Sequence, residues 1–303
     1  MWATDGPFDV QWLSGFLEHG RPRQPPLCAQ VGPTPEKIPQ LSRAASSLVG
    51  SELHVFGGLD ERTKLPTDAM WSLDLNLLEW HLLDSGGNKP SPRIGHALCS
   101  LGSAIFAFGG LAGDRHSAEF AQYDAAAMLW EVPQLDGAAP GARVGHTMVS
   151  SGSALYIYGG ASGGRPLNEV YTLDLSRSYW ERAVMADPRA EGPPALVGHV
   201  AVVVEIAQQG QLAKDNVANV GKKMLVFGGG DGRKAGNDTL MIDLETLATH
   251  KLETRGTAPL ARVGHACALV RSQQLFVFGG FVRKLGYMFD MHMLNLEVQH
   301  SGP

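Results

Sequence analysis

The stretch Leu155-Tyr156-Ile157-Tyr158-Gly159-Gly160 joins a β-branched and aromatic run to a pair of glycines. The same phrase returns as His54-Val55-Phe56-Gly57-Gly58, Phe106-Ala107-Phe108-Gly109-Gly110, Leu225-Val226-Phe227-Gly228-Gly229 and Phe276-Val277-Phe278-Gly279-Gly280. Its first glycines are separated by 52, 50, 69 and 51 residues. Self-similarity at a fixed long period marks a repeat array, whose units bury their apolar faces only by stacking on their neighbours.

The second repeat shows the grammar best. Pro90-Ser91-Pro92-Arg93-Ile94-Gly95-His96 opens it, and a strand, a turn at Leu101-Gly102-Ser103 and a second strand ending at Gly109-Gly110 follow. After a variable loop come a strand containing Tyr123-Asp124 and a last strand around Trp130. The third repeat offers Arg143-Val144-Gly145-His146, Leu173-Asp174-Leu175 and Trp180, and the first offers Asp74 and Trp80. Aspartate precedes tryptophan by six residues in all three. Four short strands joined by hairpin-length turns make one propeller blade. The glycine pair lets the backbone leave the strand and lets neighbouring blades approach, and the tryptophan fills the space between them.

The glycine pair, the downstream Tyr-Asp or Leu-Asp and the tryptophan six residues later resemble the kelch repeat, over roughly residues 41–297. The resemblance implies an all-β fold, a kelch-like β-propeller of four-stranded antiparallel blades around a central channel. Five blades are expected, with six as the alternative if residues 1–40 form a degenerate partial repeat. The expected organisation is an N-terminal appendage over 1–40 and a propeller over 41–303.

Some units depart from the pattern. Repeat four reads Leu196-Val197-Gly198-His199, without the arginine, and has Thr249 in the tryptophan's place. His199 and Gly228 are 29 positions apart, against 13 for the same pair in repeats two and three, which predicts a polar loop insertion over about 205–221. Repeat one offers only Ser42-Arg43-Ala44 for the opening phrase, and repeat five stops after Leu294-Asn295-Leu296 with no outer strand behind it. Kelch-like propellers commonly complete their last blade with an N-terminal strand, and Leu27-Cys28-Ala29-Gln30-Val31 in the proline-rich segment is the candidate. Ahead of it, Phe8, Trp12 and Phe16 recur at helical spacing, so an amphipathic helix is expected over about 7–19.

A charged fraction of 18% against 44% apolar residues allows a sizeable core, and a net charge of −5 without any basic block gives no nucleic-acid footprint. Three cysteines at unrelated spacings provide neither a disulfide framework nor a CxxC metal site. No apolar run approaches the roughly 18 residues of a membrane span, and the N-terminus lacks a signal-peptide pattern. The expected setting is the cytoplasm, with the nucleus left open.

His96, His146, His199 and His265 occupy one position in four repeats, where a ring of imidazoles could hold a metal or, as repeated buried polar residues do, serve packing and hydrogen bonding. Packing is the expectation. Arg93, Arg143 and Arg262 also recur, beside the loops that open near the channel mouth, where the resemblance to kelch-like adaptors implies a fork for acidic peptides. The alternative is that they brace neighbouring loops by pairing with carboxylates such as Asp114 or Asp231. The loops after the glycine pairs carry further cations, Arg115, Arg165 and Arg233 among them. There is no GxSxG, HExxH or phosphate-binding glycine loop, and no Glu-x3-Asp-x3-His iron spacing.

The expected function is a non-catalytic protein-interaction module or scaffold. It would act as a monomer, bind a partner's acidic segment through Arg93, Arg143, Arg262, Arg115, Arg165 and Arg233, and need no cofactor, metal, membrane or nucleic acid. The alternative is a small-molecule enzyme at the channel mouth, sugar epimerase-like or metal-dependent.

Overall fold

The computed structural model describes residues 8–14, 39–207, 220–271 and 273–298. The chain divides into two compact bodies, Gly20–Ala183 and Met1–His19 with Val184–Pro303. Every regular element among the described residues is a strand.

The first body holds three four-stranded antiparallel sheets, each with its strands in chain order. Their strands are Ala45–Val49, Glu52–Phe56, Met70–Asp74 and Glu79–Leu83 in repeat one, and Ala97–Leu101, Ala104–Phe108, Phe120–Asp124 and Leu129–Glu131 in repeat two. Repeat three uses Thr147–Ser151, Ala154–Tyr158, Val170–Asp174 and Tyr179–Arg182.

The recurrent aspartate has a local cause. The Oδ1 atoms of Asp74, Asp124, Asp174 and Asp243 each accept from the backbone N–H groups two and three residues later. That side chain satisfies the donors of the turn, as aspartate does better than most residues. The chain then reverses through Leu78, Met128, Ser178 and Leu247, all at positive φ. In repeats two and three it re-enters the sheet with Trp130 and Trp180 buried against neighbouring strands. The outer edge is sealed by the segment leading into the same repeat: Gly86–Gly87 pairs in parallel with Leu129 and Trp130, and Asp136–Gly137 with Tyr179 and Trp180. Open edges invite pairing with other chains, so the strap also protects against aggregation.

The second body holds Val200–Ala207, Val220–Phe227, Thr239–Asp243 and Thr249–Lys251 as one sheet. Ala266–Val270, Gln274–Phe278 and Met291–Val298 belong to the other. Its fourth strand is Phe8–Ser14, antiparallel to Met291–Val298 from Phe8↔Val298 to Ser14↔His292. This replaces the helix expected over 7–19. Phe8, Val10 and Trp12 also alternate with Asp9 and Gln11, and the unpaired edge of 291–298 selects that period of two over the helical one. An N-terminal strand does complete the last sheet. The candidate at 27–31 lies outside the described residues.

The expected insertion over 205–221 is also redrawn. The first hairpin of repeat four stays paired through Glu205↔Lys222, Ile206↔Gly221 and Ala207↔Val220, so its strands run eight residues where those of repeats two and three run five. Residues 208–219 are outside the described set.

Apolar side chains meet between adjacent sheets. Phe56, Met70, Ile105, Tyr123 and Trp130 pack between repeats one and two, and Phe106, Phe108, Leu155, Leu173 and Trp180 between repeats two and three. Val200, Leu225, Phe227, Val277 and Leu294 do the same between repeats four and five. The glycine pair makes this approach feasible. Gly109 has φ +70°, and a Cβ there would fall 2.7 Å from His146 Cε1 and 2.8 Å from the Arg143 carbonyl oxygen. Gly113 has a similar φ of +59° but open space around it. Gly113→Ala is expected to cost about 1 kcal/mol, the left-handed penalty alone, while Gly109→Ala should cost at least about 2 kcal/mol more by adding a core clash. Equal losses in urea unfolding would show that the histidine does not set the repeat spacing.

Candidate functional site

Four residues at the head of a repeat make three different connections. In Arg143-Val144-Gly145-His146, the Arg143 carbonyl accepts from Gly110 N–H of the preceding repeat at 2.8 Å. The Arg143 side chain reaches forward, donating from Nη1 to the Gly159 carbonyl at 3.2 Å, from Nε to Gly141 O at 3.0 Å and from Nη2 to Glu169 Oε2 at 2.9 Å. The His146 ring wedges over Gly109, edge-on to Phe108 at 5.3 Å. Arg93 makes the corresponding bonds to Gly109 O, Ser91 O and Glu119. Arg262 bonds to Gly279 O and Leu260 O and holds both oxygens of Asp290 at 2.7 Å.

The three guanidinium groups are 0–1% exposed. They are therefore not the open forks for a partner's carboxylates expected from sequence, and their acids are Glu119, Glu169 and Asp290 rather than Asp114 or Asp231. Burying an arginine is tolerable only when its donors are met, and here carbonyls and a carboxylate meet them. A signal for the acids was present: Glu119, Glu169, Asp238 and Asp290 stand ten or eleven residues after the first glycine of their repeats. In repeat four Leu196 replaces the arginine, and Asp238 turns to Lys251 at 2.7 Å on the surface.

The repeated histidines are buried and mostly uncharged. Burial, reinforced by Arg93, pushes His96 down to about 3, and burial next to His265 does the same for His199. His265 lies at about 4, lowered by burial and Arg262 against a hydrogen bond that favours its charge. Since a carbonyl can only accept, neutral His265 donates its Nε2–H to Phe227 O, 3.1 Å away. Among the described residues no group of three or more His, Cys, Asp or Glu is placed to hold a metal ion.

The exposed cations lie elsewhere. Beyond each glycine pair the chain makes a small hairpin or turn, and Arg115, Arg165 and Arg233 project there into solvent, as do Arg62, Arg283 and Lys284. The hairpins of repeats two and three touch, with Gly163 N–H donating to His116 Nδ1 at 3.2 Å. Their charge is uneven. Arg62 lies beside Asp60 and Lys64 pairs with Glu61, whereas the loops at 161–167 and 281–286 hold cations and no acid.

With this geometry in place, comparison with known proteins gives the family. The KLHDC2/KLHL20/DRC7 Kelch-repeats domain matches residues 29–209 and 215–301. The chain belongs to the kelch-repeat family. Its four-stranded antiparallel sheets are kelch β-propeller blades. Human Rab9 effector protein with kelch motifs is 37% identical over 83 residues, 27% of this chain and 22% of that protein. Tip elongation aberrant protein 1 of Schizosaccharomyces pombe is 32% identical over 100 residues, 31% of this chain and 9% of that protein. Arabidopsis thaliana acyl-CoA-binding domain-containing protein 5 is 32% identical over 83 residues, 27% of this kelch chain and 13% of the relative. The matched regions thus span less than a quarter of these relatives.

Two outcomes follow for the kelch framework. Arg262→Met should cost at least about 2 kcal/mol in denaturant unfolding, because it takes two charge-assisted hydrogen bonds from Asp290 and leaves it only His292; a loss under about 1 kcal/mol would mean that the pair is dispensable. For the histidines, the unfolded imidazole binds its proton near 6.5 and the folded ones only near 3 to 4. Stability is therefore complete above pH 6.5 and falls as the pH drops from there toward 4 and 3. Unfolding free energies measured across that window should decline before the carboxylates titrate, and an NMR titration that finds His96, His199 and His265 all protonating near 6.5 would contradict the burial.

Proposed function

We propose that this chain is a non-catalytic protein-interaction domain that recognises acidic segments of a partner through the loops following the glycine pairs of each body. The observation that carries this reading is the division of labour among its arginines. Arg93, Arg143 and Arg262 are spent on the scaffold, and Arg115, Arg165 and Arg233 stand free on loops that the scaffold holds in place. Loops on a rigid frame are where binding residues concentrate, and exposed guanidinium groups pair well with carboxylates. A relative named as a Rab9 effector supports a protein as the partner.

The mechanism is charge-assisted hydrogen bonding from pre-organised loops, with little movement of the blades. The test compares affinity capture from the source cells by the wild type and by an Arg115→Glu, Arg165→Glu, Arg233→Glu variant with an unchanged thermal transition. The expected result is a partner recovered by the first and lost by the second, with wild-type affinity falling as salt rises. A partner held equally by both would remove these loops from recognition.

A further inference from the structure

The post-glycine hairpins can be compared position by position, because each returns an N–H to the carbonyl of its second glycine. Thr67, Ser117, Leu167, Gly236 and Met288 donate to Gly58, Gly110, Gly160, Gly229 and Gly280. The residue that follows is Asp68, Ala118, Asn168 and Asn237 in four repeats and Phe289 in the fifth. The paired ends of the hairpin are Leu59 and Pro66, Leu111 and His116, and Ala161 and Pro166, but Phe281 and Tyr287 in repeat five.

None of this aromatic bulk is demanded by the backbone, since the sister hairpins make the same returning bond with proline or histidine in the place of Tyr287 and with Asp, Ala or Asn in that of Phe289. Nor is it buried. Phe289 is 66% exposed, Tyr287 77%, Leu285 61% and Phe281 39%, with the Phe281 and Tyr287 rings T-shaped at 5.5 Å. Apolar surface left in water at adjoining positions marks an interaction site more often than chance scatter does. The tip between the aromatics is Arg283-Lys284, both exposed, and no acid lies from Phe281 to Phe289. Asp290, the next one, is held by Arg262 and His292.

Aromatic side chains beside arginine are the composition of interface hot spots. We propose that residues 281–289 are the anchor of the recognition surface and take a partner-protein segment in which a bulky apolar side chain adjoins an acidic one. This inference rests on the interaction reading above and names the residues that supply most of its affinity. The cations choose the acidic neighbour, and the exposed rings cover the apolar side chain.

The probe is a phage-displayed library of short random peptides panned on the intact chain. Enriched peptides are then titrated against the wild type, Tyr287→Ser with Phe289→Asn, and Arg165→Glu with Arg233→Glu. The first variant gives the fifth hairpin the character of its sisters at exposed positions, and its thermal transition should match the wild type. The expected result is a class pairing Trp, Phe or Leu with Asp or Glu, whose affinity falls about tenfold or more on the first variant. Peptides that ignore that variant but are lost on the second overturn the anchor while leaving the interaction reading standing. Failure to enrich any apolar–acidic class overturns it as well. So does a wild-type dimer that the first variant dissolves, which would give the patch to a second copy of this chain.

Discussion

A histidine ring lying over a glycine is the contact on which the blades depend. His146 occupies the space that a side chain at Gly109 would need, and its own Cβ sits over Gly160 in the next sheet. His96 relates Gly57 to Gly110 in the same way, and His265 relates Gly228 to Gly280. One imidazole therefore gauges the separation of two sheets within a body. It does so as a flat, buried wedge at a depth where a charged or larger group would be costly.

The arginine three residues earlier joins the same two sheets by other means. Its carbonyl binds the second glycine of one repeat, and its guanidinium binds the first glycine's carbonyl and an acid of the next. Where repeat four lacks the arginine, His199 still packs its Cβ against Gly229, and the bridge within the repeat is kept, Val197 pairing with Gly230 as Val144 does with Ala161. The steric wedge and the ladder are thus separable from the ion pair. That separation explains how one member of the array can lose its charge clasp and keep its sheet.

Burial sorts residues of one type into two roles. Arg143 and Arg165 are 22 positions apart in one repeat, yet the first is enclosed by carbonyls and a carboxylate and the second stands in water. Desolvation makes the enclosed arginine a structural element whose loss leaves Glu169 only the exposed Arg182, and exposure leaves the other available for a partner. The fifth hairpin applies the same logic to apolar groups. Phe227, the last residue of its strand, is fully buried, whereas Phe289, two residues ahead of a strand, stays largely in solvent.

The repeat, its four-strand grammar, the aspartate turns and the tryptophan positions were all legible in the sequence, because each depends on residues close together in the chain and recurs several times. A pattern seen five times outweighs the ambiguity of any single strand. Three features depended on contacts distant in sequence. Phe8–Ser14 fits a helix or a strand by its own spacing, and only the unpaired edge at 291–298 decides. Arg93, Arg143 and Arg262 look like binding residues until Glu119, Glu169 and Asp290, 26 to 28 positions away, are seen to enclose them. Nothing local to Tyr287 and Phe289 tells whether they pack inward, and only the packed sheet leaves them outside. Sequence determined which residues recur; tertiary packing decided which side chains are used up inside the blades and which remain to meet another molecule.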